Sequence, residues 1–435
     1  MAIPRGDRGQ LTVPLSLIAE SFLGRVQPIR PSVAYRLRIT AVAALIASLP
    51  LIYLALICLV MYGEASYAVW GAIHLPKNPL RLFLILYLGP LLAGLILVLF
   101  LLKPILASRT VSCQLLTIDS DSQPEFFDFL RRVSAAVGAS MPTRIELDNQ
   151  ANASASFDPT LRSFFKRDLV LTLGLPLVAC LNVNQLAAVV AHEFGHFTQS
   201  AGMRFHHLIW YVNSWLAAGV HDRDNWDEAL ADVADGAGWL IGLAVLASRG
   251  LILLVRALLA LLLFVANRAR ASFSRQMEFH ADEYASGLAG SSCYVDTLAL
   301  LPVIDTAYVT ALVDIAQEVS NGSLPDDFPL FVRARTLTMA PDAREAAIRE
   351  DALESSKDAD HPPIAERTAR IEARRDAAVF RLDAPATALF RNFPDLARSV
   401  TARQYPDWFG PVVEHVRSCP TTEALVRAGV PSSKH

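Results

Sequence analysis

The sequence predicts a mainly α-helical membrane protein with a small β-sheet. Three observations carry that reading. Two uncharged runs are long enough to cross a bilayer, the chain from Arg268 onward is charged and mostly helical in pattern, and a His-Glu-x-x-His pentad sits on an amphipathic stretch at 192–196. Composition agrees, with 53% hydrophobic and only 19% charged residues among 435, against about 25% charge in an ordinary soluble chain. The apolar excess is concentrated in blocks, which excludes both an ordinary soluble enzyme and a disordered chain. A formal net charge of −3 gives no basic field, so no nucleic-acid partner is expected. The five cysteines are scattered without a CxxC pair, so neither a disulfide framework nor a thiolate metal site is expected, and a reducing compartment fits.

The membrane elements come first. Ala41–Tyr62 and Leu82–Leu102 carry no charge. At about 1.5 Å per residue each spans roughly 30 Å, the thickness of the hydrocarbon core. Pro50 and Pro90 fall mid-run and read as kinks that a membrane helix tolerates. The tail before the first run holds Arg5, Arg8, Arg25, Arg30, Arg36 and Arg38, whereas the connector Gly63–Arg81 holds only Lys77 and Arg81. That asymmetry places both ends of the hairpin in the cytoplasm, with a short external loop. Downstream, Trp239–Val265 is apolar but interrupted by Arg249 and Arg256, and the shorter Leu208–Val220 precedes it across an acidic connector, His221–Asp235. The two arginines share a helical face and either line a polar cavity or snorkel to headgroups.

The chemistry lies at His192-Glu193-Phe194-Gly195-His196. Asn184 reads as an N-cap, and Leu186, Val189, Val190 and Phe197 make a 3–4 spaced apolar stripe, so the pentad is helical. Histidines at i and i+4 project from one face, so two imidazoles can converge on one ion at Zn–N distances of about 2.0–2.1 Å. Glu193 is placed to take a proton from water at the open fourth position. A third ligand is needed. Glu278-Phe279-His280-Ala281-Asp282-Glu283 supplies Glu278 and Asp282 on one face, one able to bind metal while the other orients a ligand histidine. His280 competes for the same role from the other side of that helix, and Glu283 reads as an exposed charge.

These motifs together resemble the integral-membrane gluzincin metallopeptidases of the HtpX and CAAX prenyl protease type. The resemblance covers roughly residues 40–375. Upstream, Asn152-Ala153-Ser154-Ala155 and Leu169–Leu175 resemble the edge-strand region of that family, although Ser154 stands where an aromatic is expected. Downstream, His361-Pro362-Pro363 with Glu366-Arg367 resembles its late His-Pro-Pro…Arg motif. The resemblance implies a zincin-like domain joined to transmembrane helices, and a zinc metalloendopeptidase with one Zn2+ per chain. His192, His196 and Glu278 would be ligands, Glu193 the general base, and Asp282 the group that orients a ligand. His361 or Arg367 would approach the oxyanion. Asn152, Ala153, Leu169 and Leu171 would form the substrate strand, with Leu169–Thr172 offering an unpaired edge for β-augmentation.

The expected organisation follows. Residues 1–40 are a cytoplasmic tail, 41–103 a membrane hairpin, 104–204 the first part of the protease domain, 205–267 an apolar insert, 268–375 the second part and 376–435 a helical extension matching no known motif. All ligands must share one side of the membrane, so 205–267 crosses it twice or not at all, and two crossings fit the acidic connector better. The expected substrates are membrane-associated or misfolded polypeptides, handled at the cytoplasmic face of a bacterial inner membrane. A narrow processing protease and a silent scaffold that keeps the zinc fold are the rival readings. The sequence gives no oligomeric state.

Overall fold

The computed structural model describes residues 11–28, 33–75, 77, 79–106, 115–157, 168–198, 212, 239–354 and 362–430. The protein is mainly helical with a small mixed sheet, as the sequence predicts. It divides into two compact units. One draws on Met1–Pro31, Ser112–Arg204 and Ser274–His435, the other on Ser32–Val111 and Phe205–Phe273.

The second unit holds α2 (Val33–His74), the short α3 (Leu80–Phe83), a π-helical turn at Leu84–Leu88 and α4 (Gly89–Leu106). At about 1.5 Å per residue α2 is roughly 63 Å long, twice the hydrocarbon thickness. The connector expected to be a loop is therefore largely helix, since α2 runs to His74 and α3 begins at Leu80. Tyr53 Oη donates to the Leu101 carbonyl at 2.8 Å, and Tyr87 Oη to that of Ala68 at 3.1 Å. This register sets Leu82–Leu102 against the later part of α2 rather than against the whole of Ala41–Tyr62, because an unbroken apolar run fixes no register and the tyrosine bonds do. Pro90 has no N–H for the carbonyl of Leu86 four residues back. The π-turn accommodates the ring, and Tyr67 Oη donates to that carbonyl instead. Arg256 stacks over Phe100, 5.4 Å from the ring centroid, while Arg249 is exposed.

Among the described residues, four helices are long and apolar enough to cross a membrane: Arg36–His74, Leu80–Leu102, Arg249–Arg268 and Ser291–Ser320. The last is a core helix of the first unit. Tyr294, Leu298, Ile304, Ala307, Ala311 and Ile315 along it are all buried among the other elements of that unit. Trp239–Val265 lies within one continuous helix, α8 (Trp239–Ala289). The Leu208–Val220 block, apart from Val212, and the acidic connector lie outside the described residues.

The first unit is built on a four-stranded sheet: β1 (Leu116–Ile118), β2 (Arg144–Asp148), β3 (Ala153–Phe157) and β4 (Leu169–Gly174), in the order β1-β2-β4-β3. β4 pairs in parallel with β2 on one side and antiparallel with β3 on the other. Leu169–Thr172 is therefore interior, contrary to the expected free edge. Leu169 and Leu171 are buried on a strand fenced in from both sides, which is why this stretch is a continuous apolar run. The edge strand is β3. Between β4 and the pentad helix α7 (Val183–Thr198) lies the one-and-a-half-turn α6 (Leu175–Cys180). After α8, Gly290 at φ +87° breaks the helical run and α9 (Ser291–Ser320) begins. Then come β5 (Ser323–Pro325), α10 (Phe328–Thr338), α11 (Pro341–Glu354) and α12 (Ile364–Arg374).

Two flanking segments belong to this unit's core. The expected tail is folded from residue 11 to 28 and includes α1 (Leu15–Glu20), with Val13 and Ile18 fully buried. The expected C-terminal extension supplies α13 (Phe393–Phe409), β6 (Arg417–Cys419) and α14 (Thr421–Arg427), and buries Phe380, Leu389, Phe390 and Val400 in the same core. The segments are stitched together. Phe22 bridges Phe380, Val13 N donates to the Ala388 carbonyl at 3.0 Å and Leu23 N to that of Val379 at 2.7 Å. Neither segment carries a long periodic pattern, so burial in a shared core was not readable from either alone.

Gly174 ends β4 where the corner before β3 folds over it. A Cβ there would fall 1.7 Å from the Gln150 carbonyl oxygen, a backbone atom that cannot swing aside. Gly174→Ala is expected to cost about 2–3 kcal/mol through forced displacement of that corner, read as a lower denaturant midpoint with unchanged m-value. Asp148, at the end of β2, gives a test of opposite sign. Burial pushes its carboxyl up to about 6, the Gln150 amide offsetting part of the rise and the charge of Glu146 adding to it. A folded-state value above the unfolded one stabilises at low pH, and that contribution is lost as pH rises through about 6. Asp148→Asn, permanently neutral, should therefore gain about 1–3 kcal/mol at pH 7 and nothing near pH 4, as thermal melts at the two pH values would show.

Candidate active site

The pentad helix starts on a reciprocal cap. Asn182 Oδ1 accepts from Gln185 N at 2.8 Å and Gln185 Oε1 accepts from Asn182 N at 3.0 Å. Asn184, expected as the cap, instead accepts from Leu382 N at 2.7 Å. The helix buries Leu186, Val190 and Phe194, leaving His192, Glu193 and His196 on one side. Gly195 lets α8 approach closely, since a Cβ there would meet Ala281 Cα at 3.0 Å. That approach delivers Glu278 and Asp282 to the histidines.

Donor atoms of His192, Glu193 and His196 lie within 4.8 Å of one another. The two imidazoles stand nearly perpendicular, at 86° and 4.8 Å between centroids. Glu278 Oε2 lies 3.3 Å from His192 Nε2, and its Oε1 lies 3.6 Å from His196 Nε2. Donors about 2.0–2.1 Å from a tetrahedral ion stand roughly 3.3–3.4 Å apart. Both separations are close to that value, so one carboxylate and two imidazoles fit a single zinc-sized ion. Glu193 is the nearer carboxylate in sequence, but the Ala155 N–H donates to its Oε2 at 3.1 Å, which holds it toward the edge strand. His280 does not join this cluster; burial and the charge of Arg370 lower its pKa. Glu283 is half-buried rather than exposed, and pairs with Arg374 Nη1 at 3.1 Å.

Behind His192 sits a buried network that the sequence reading did not assemble. Asp282 Oδ1 lies 3.1 Å from His192 Nδ1 and accepts from Tyr294 Oη at 2.5 Å. Arg367 donates from Nε to Asp282 Oδ2 at 2.9 Å, from Nη2 to Oδ1 at 2.6 Å and from Nη2 to Tyr294 Oη at 2.9 Å. Arg367 was expected at the oxyanion. Its guanidinium is instead engaged on the Nδ1 side of His192, because α12 presents it there and Ile371, one turn on, is buried with Ala188, Ala285 and Tyr294. His361 lies outside the described residues. Tyr294 was missed. The available signal was Gly290, a helix breaker that begins a new helix four residues before the tyrosine.

The electrostatics follow from this packing. Burial opposes ionisation of Asp282, yet the Arg367 charge and the bonds from His192 and Arg367 hold its carboxyl well below the usual range. Burial also opposes charge on His192, but the bonds and charges of Asp282 and Glu278 outweigh it and push the imidazole up to about 10. The pocket therefore demands positive charge at the ring. A divalent cation at Nε2 meets that demand while Nδ1–H stays bonded to Asp282. Burial and the Asp282 charge raise the Tyr294 phenol well above its ordinary value, so it remains a donor.

The sequence profile of peptidase family M48 matches residues 128–375, more than half of the chain and all of the groups just described. The chain belongs to peptidase family M48. Comparison with curated proteins and with solved structures gave no match. As an M48 member the protein is a metallopeptidase, and the pentad at 192–196 forms a group that could hold a metal ion. The family match also ends where α12 ends, so α13, β6 and α14 lie beyond it.

Removing Arg367 would leave Asp282, 1% exposed, without its counter-ion. Arg367→Met is expected to lose about 3–5 kcal/mol of stability and about 10–100-fold in metal affinity. Thermal unfolding and metal competition titration would read the two losses, and Asp282→Asn in the same background should restore part of the stability.

Proposed function

We propose that this M48 metallopeptidase is a membrane-embedded zinc endopeptidase, with His192, His196 and Glu278 as its ligands and Glu193 as general base. The observation that carries this reading is the placing of Glu278 at 3.3 and 3.6 Å from the two Nε2 atoms. It completes the ligand set and leaves Glu193 for chemistry. Bound zinc would polarise the scissile carbonyl and lower the pKa of the attacking water to about 7. Glu193 takes the proton of that water and passes it to the leaving amine. Asp282, Tyr294 and Arg367 fix the His192 ring through Nδ1.

The substrate seat is the outer edge of β3, where an incoming strand would replace the bonds of Ala153 N–H to Asn152 Oδ1 at 2.8 Å and of Ala155 N–H to Glu193 Oε2 at 3.1 Å. Asn152 faces β4, where its carbonyl accepts from Gly174 N at 2.8 Å, so the backbone groups of Ala153 and Ala155 point the other way. An extended peptide adding there lies along the side from which Ala155 N–H reaches Glu193. Main-chain pairing of this kind reads backbone rather than side chains and suits varied polypeptides. Substrates are membrane-associated or misfolded proteins.

The chain before and after the hairpin, residues 11–28 and 115–157, belongs to one compact unit. This supports an even number of crossings. Arg25, Arg36 and Arg38 ahead of the hairpin, against Lys77 and Arg81 at its turn, support an active site on the cytoplasmic face, and the Ala-, Leu- and Arg-rich composition supports a bacterial inner membrane. Arg249–Arg268 as a span requires an odd number of crossings between residues 199 and 248.

The test pairs zinc content with casein cleavage on detergent-purified wild type and Glu193→Gln. Both should hold about one zinc per chain, and the variant should lose about 10²–10⁴-fold in rate. Wild type that binds no zinc would sink the site, and zinc-loaded wild type that leaves casein intact would sink the broad specificity.

A further inference from the structure

Resting on the reading of β3 as the substrate seat, we propose that Gln404 and Thr401 of α13, outside the family segment, are positioning residues that set the seat's register. The corner Asn149–Asn152 joins β2 to β3, and its placement decides where Ala153 and Ala155 present their backbone groups. Asn149 is fully buried, and its main-chain N–H donates to Gln404 Oε1 at 2.8 Å. Its side-chain Nδ2 donates to Thr401 Oγ1 at 3.4 Å. Gln404 and Thr401 are themselves 4% and 1% exposed. The next residue of the corner, Gln150, lays its carbonyl into the Gly174 notch. Tyr308 adds a third hold, donating to Gln150 Oε1 at 3.1 Å.

A corner held only by its sheet could slide along β4, because β-pairing sets spacing strictly but position along the strand weakly where side chains are small. β3 reads Ala-Ser-Ala-Ser before Phe157, with little side-chain bulk to fix it. The C-terminal helix supplies what the strand lacks, a buried acceptor that matches one main-chain N–H at one position. A slip would strand both the Asn149 amide and the Gln404 carbonyl in the core, at a cost of about 1–3 kcal/mol each. Thr401 also accepts from Phe328 N at 3.1 Å, so it is braced against the start of α10.

The experiment uses the full-length enzyme in detergent, with labelled casein as substrate and hydrogen exchange of residues 153–157 as a readout independent of activity. Gln404→Met and Thr401→Val remove the acceptors at near-constant volume. Each should raise KM about five- to tenfold, the effect of roughly 1–1.4 kcal/mol, with kcat and zinc content held and faster exchange across β3. Thr401→Ser, which keeps the hydroxyl, should restore wild-type KM. Tyr405→Phe, on the same helix, removes a bond to the Pro325 carbonyl (2.7 Å) without touching the corner. It should lower the melting temperature while leaving KM and β3 exchange unchanged. Unaltered exchange in Gln404→Met and Thr401→Val would overturn the proposal, as would an equal KM rise in Tyr405→Phe. Wild type inactive on casein would instead count against the broad specificity proposed above, and the exchange comparison would still decide the role of α13.

Discussion

The carboxylate of Asp282 is the point on which the catalytic unit closes. It accepts two bonds from Arg367 and one from Tyr294, and faces His192 Nδ1 at 3.1 Å. Those partners come from three helices and Asp282 from a fourth, so one buried charge fixes the mutual positions of α7, α8, α9 and α12. A single carboxylate in such a place would be costly. Here the bidentate guanidinium and the phenol satisfy it, and the remaining acceptor capacity falls on the ring whose other nitrogen faces Glu278. Removing any member leaves a buried polar group exposed to its own desolvation cost. The Gly195 notch and the break at Gly290 are the local backbone conditions that bring these helices close enough.

Much of this was legible. The pentad, the acidic pair at 278 and 282 and the apolar runs follow from spacing, because helical period and bilayer thickness are fixed lengths. The i, i+4 relation leaves open which of Glu278 and Asp282 orients a histidine, the family resemblance implies Asp282, and it is Asp282 that lies beside His192 Nδ1. Arg367 was placed on the wrong side of the ring. Sequence spacing identifies a charged donor near the site but not which nitrogen of a histidine it serves, and that depends on how α12 packs through Ile371. The edge strand was misread for a related reason. A continuous apolar run such as Leu169–Leu173 marks a strand enclosed on both faces and therefore argues against an edge, while the weak Ala-Ser alternation of β3 gave little signal of its own.

Register in the membrane hairpin shows the same division between what a pattern can and cannot carry. Hydropathy located two apolar helices, but the tyrosines at 53, 67 and 87 decide how they slide against one another. Each donates to a main-chain carbonyl of the partner helix. One of those acceptors, at Leu86, is the carbonyl that Pro90 leaves without a helical donor. A kink residue and a tyrosine on the other helix thus form one local solution to unsatisfied backbone polarity in an apolar setting.

The bridge between Phe22 and Phe380 has a consequence for the order in which the protein is made. Residues 11–28 leave the ribosome well before the partners they pair with, which lie some 360 positions later. At about 5–20 residues per second, roughly 20–70 s of synthesis separate the two. Throughout that interval the core around Val13, Ile18 and Phe380 lacks one wall, and the HExxH helix is emerging beside an unfinished neighbour. The core of that unit therefore closes only once residue 380 has emerged, whatever the state of the HExxH helix.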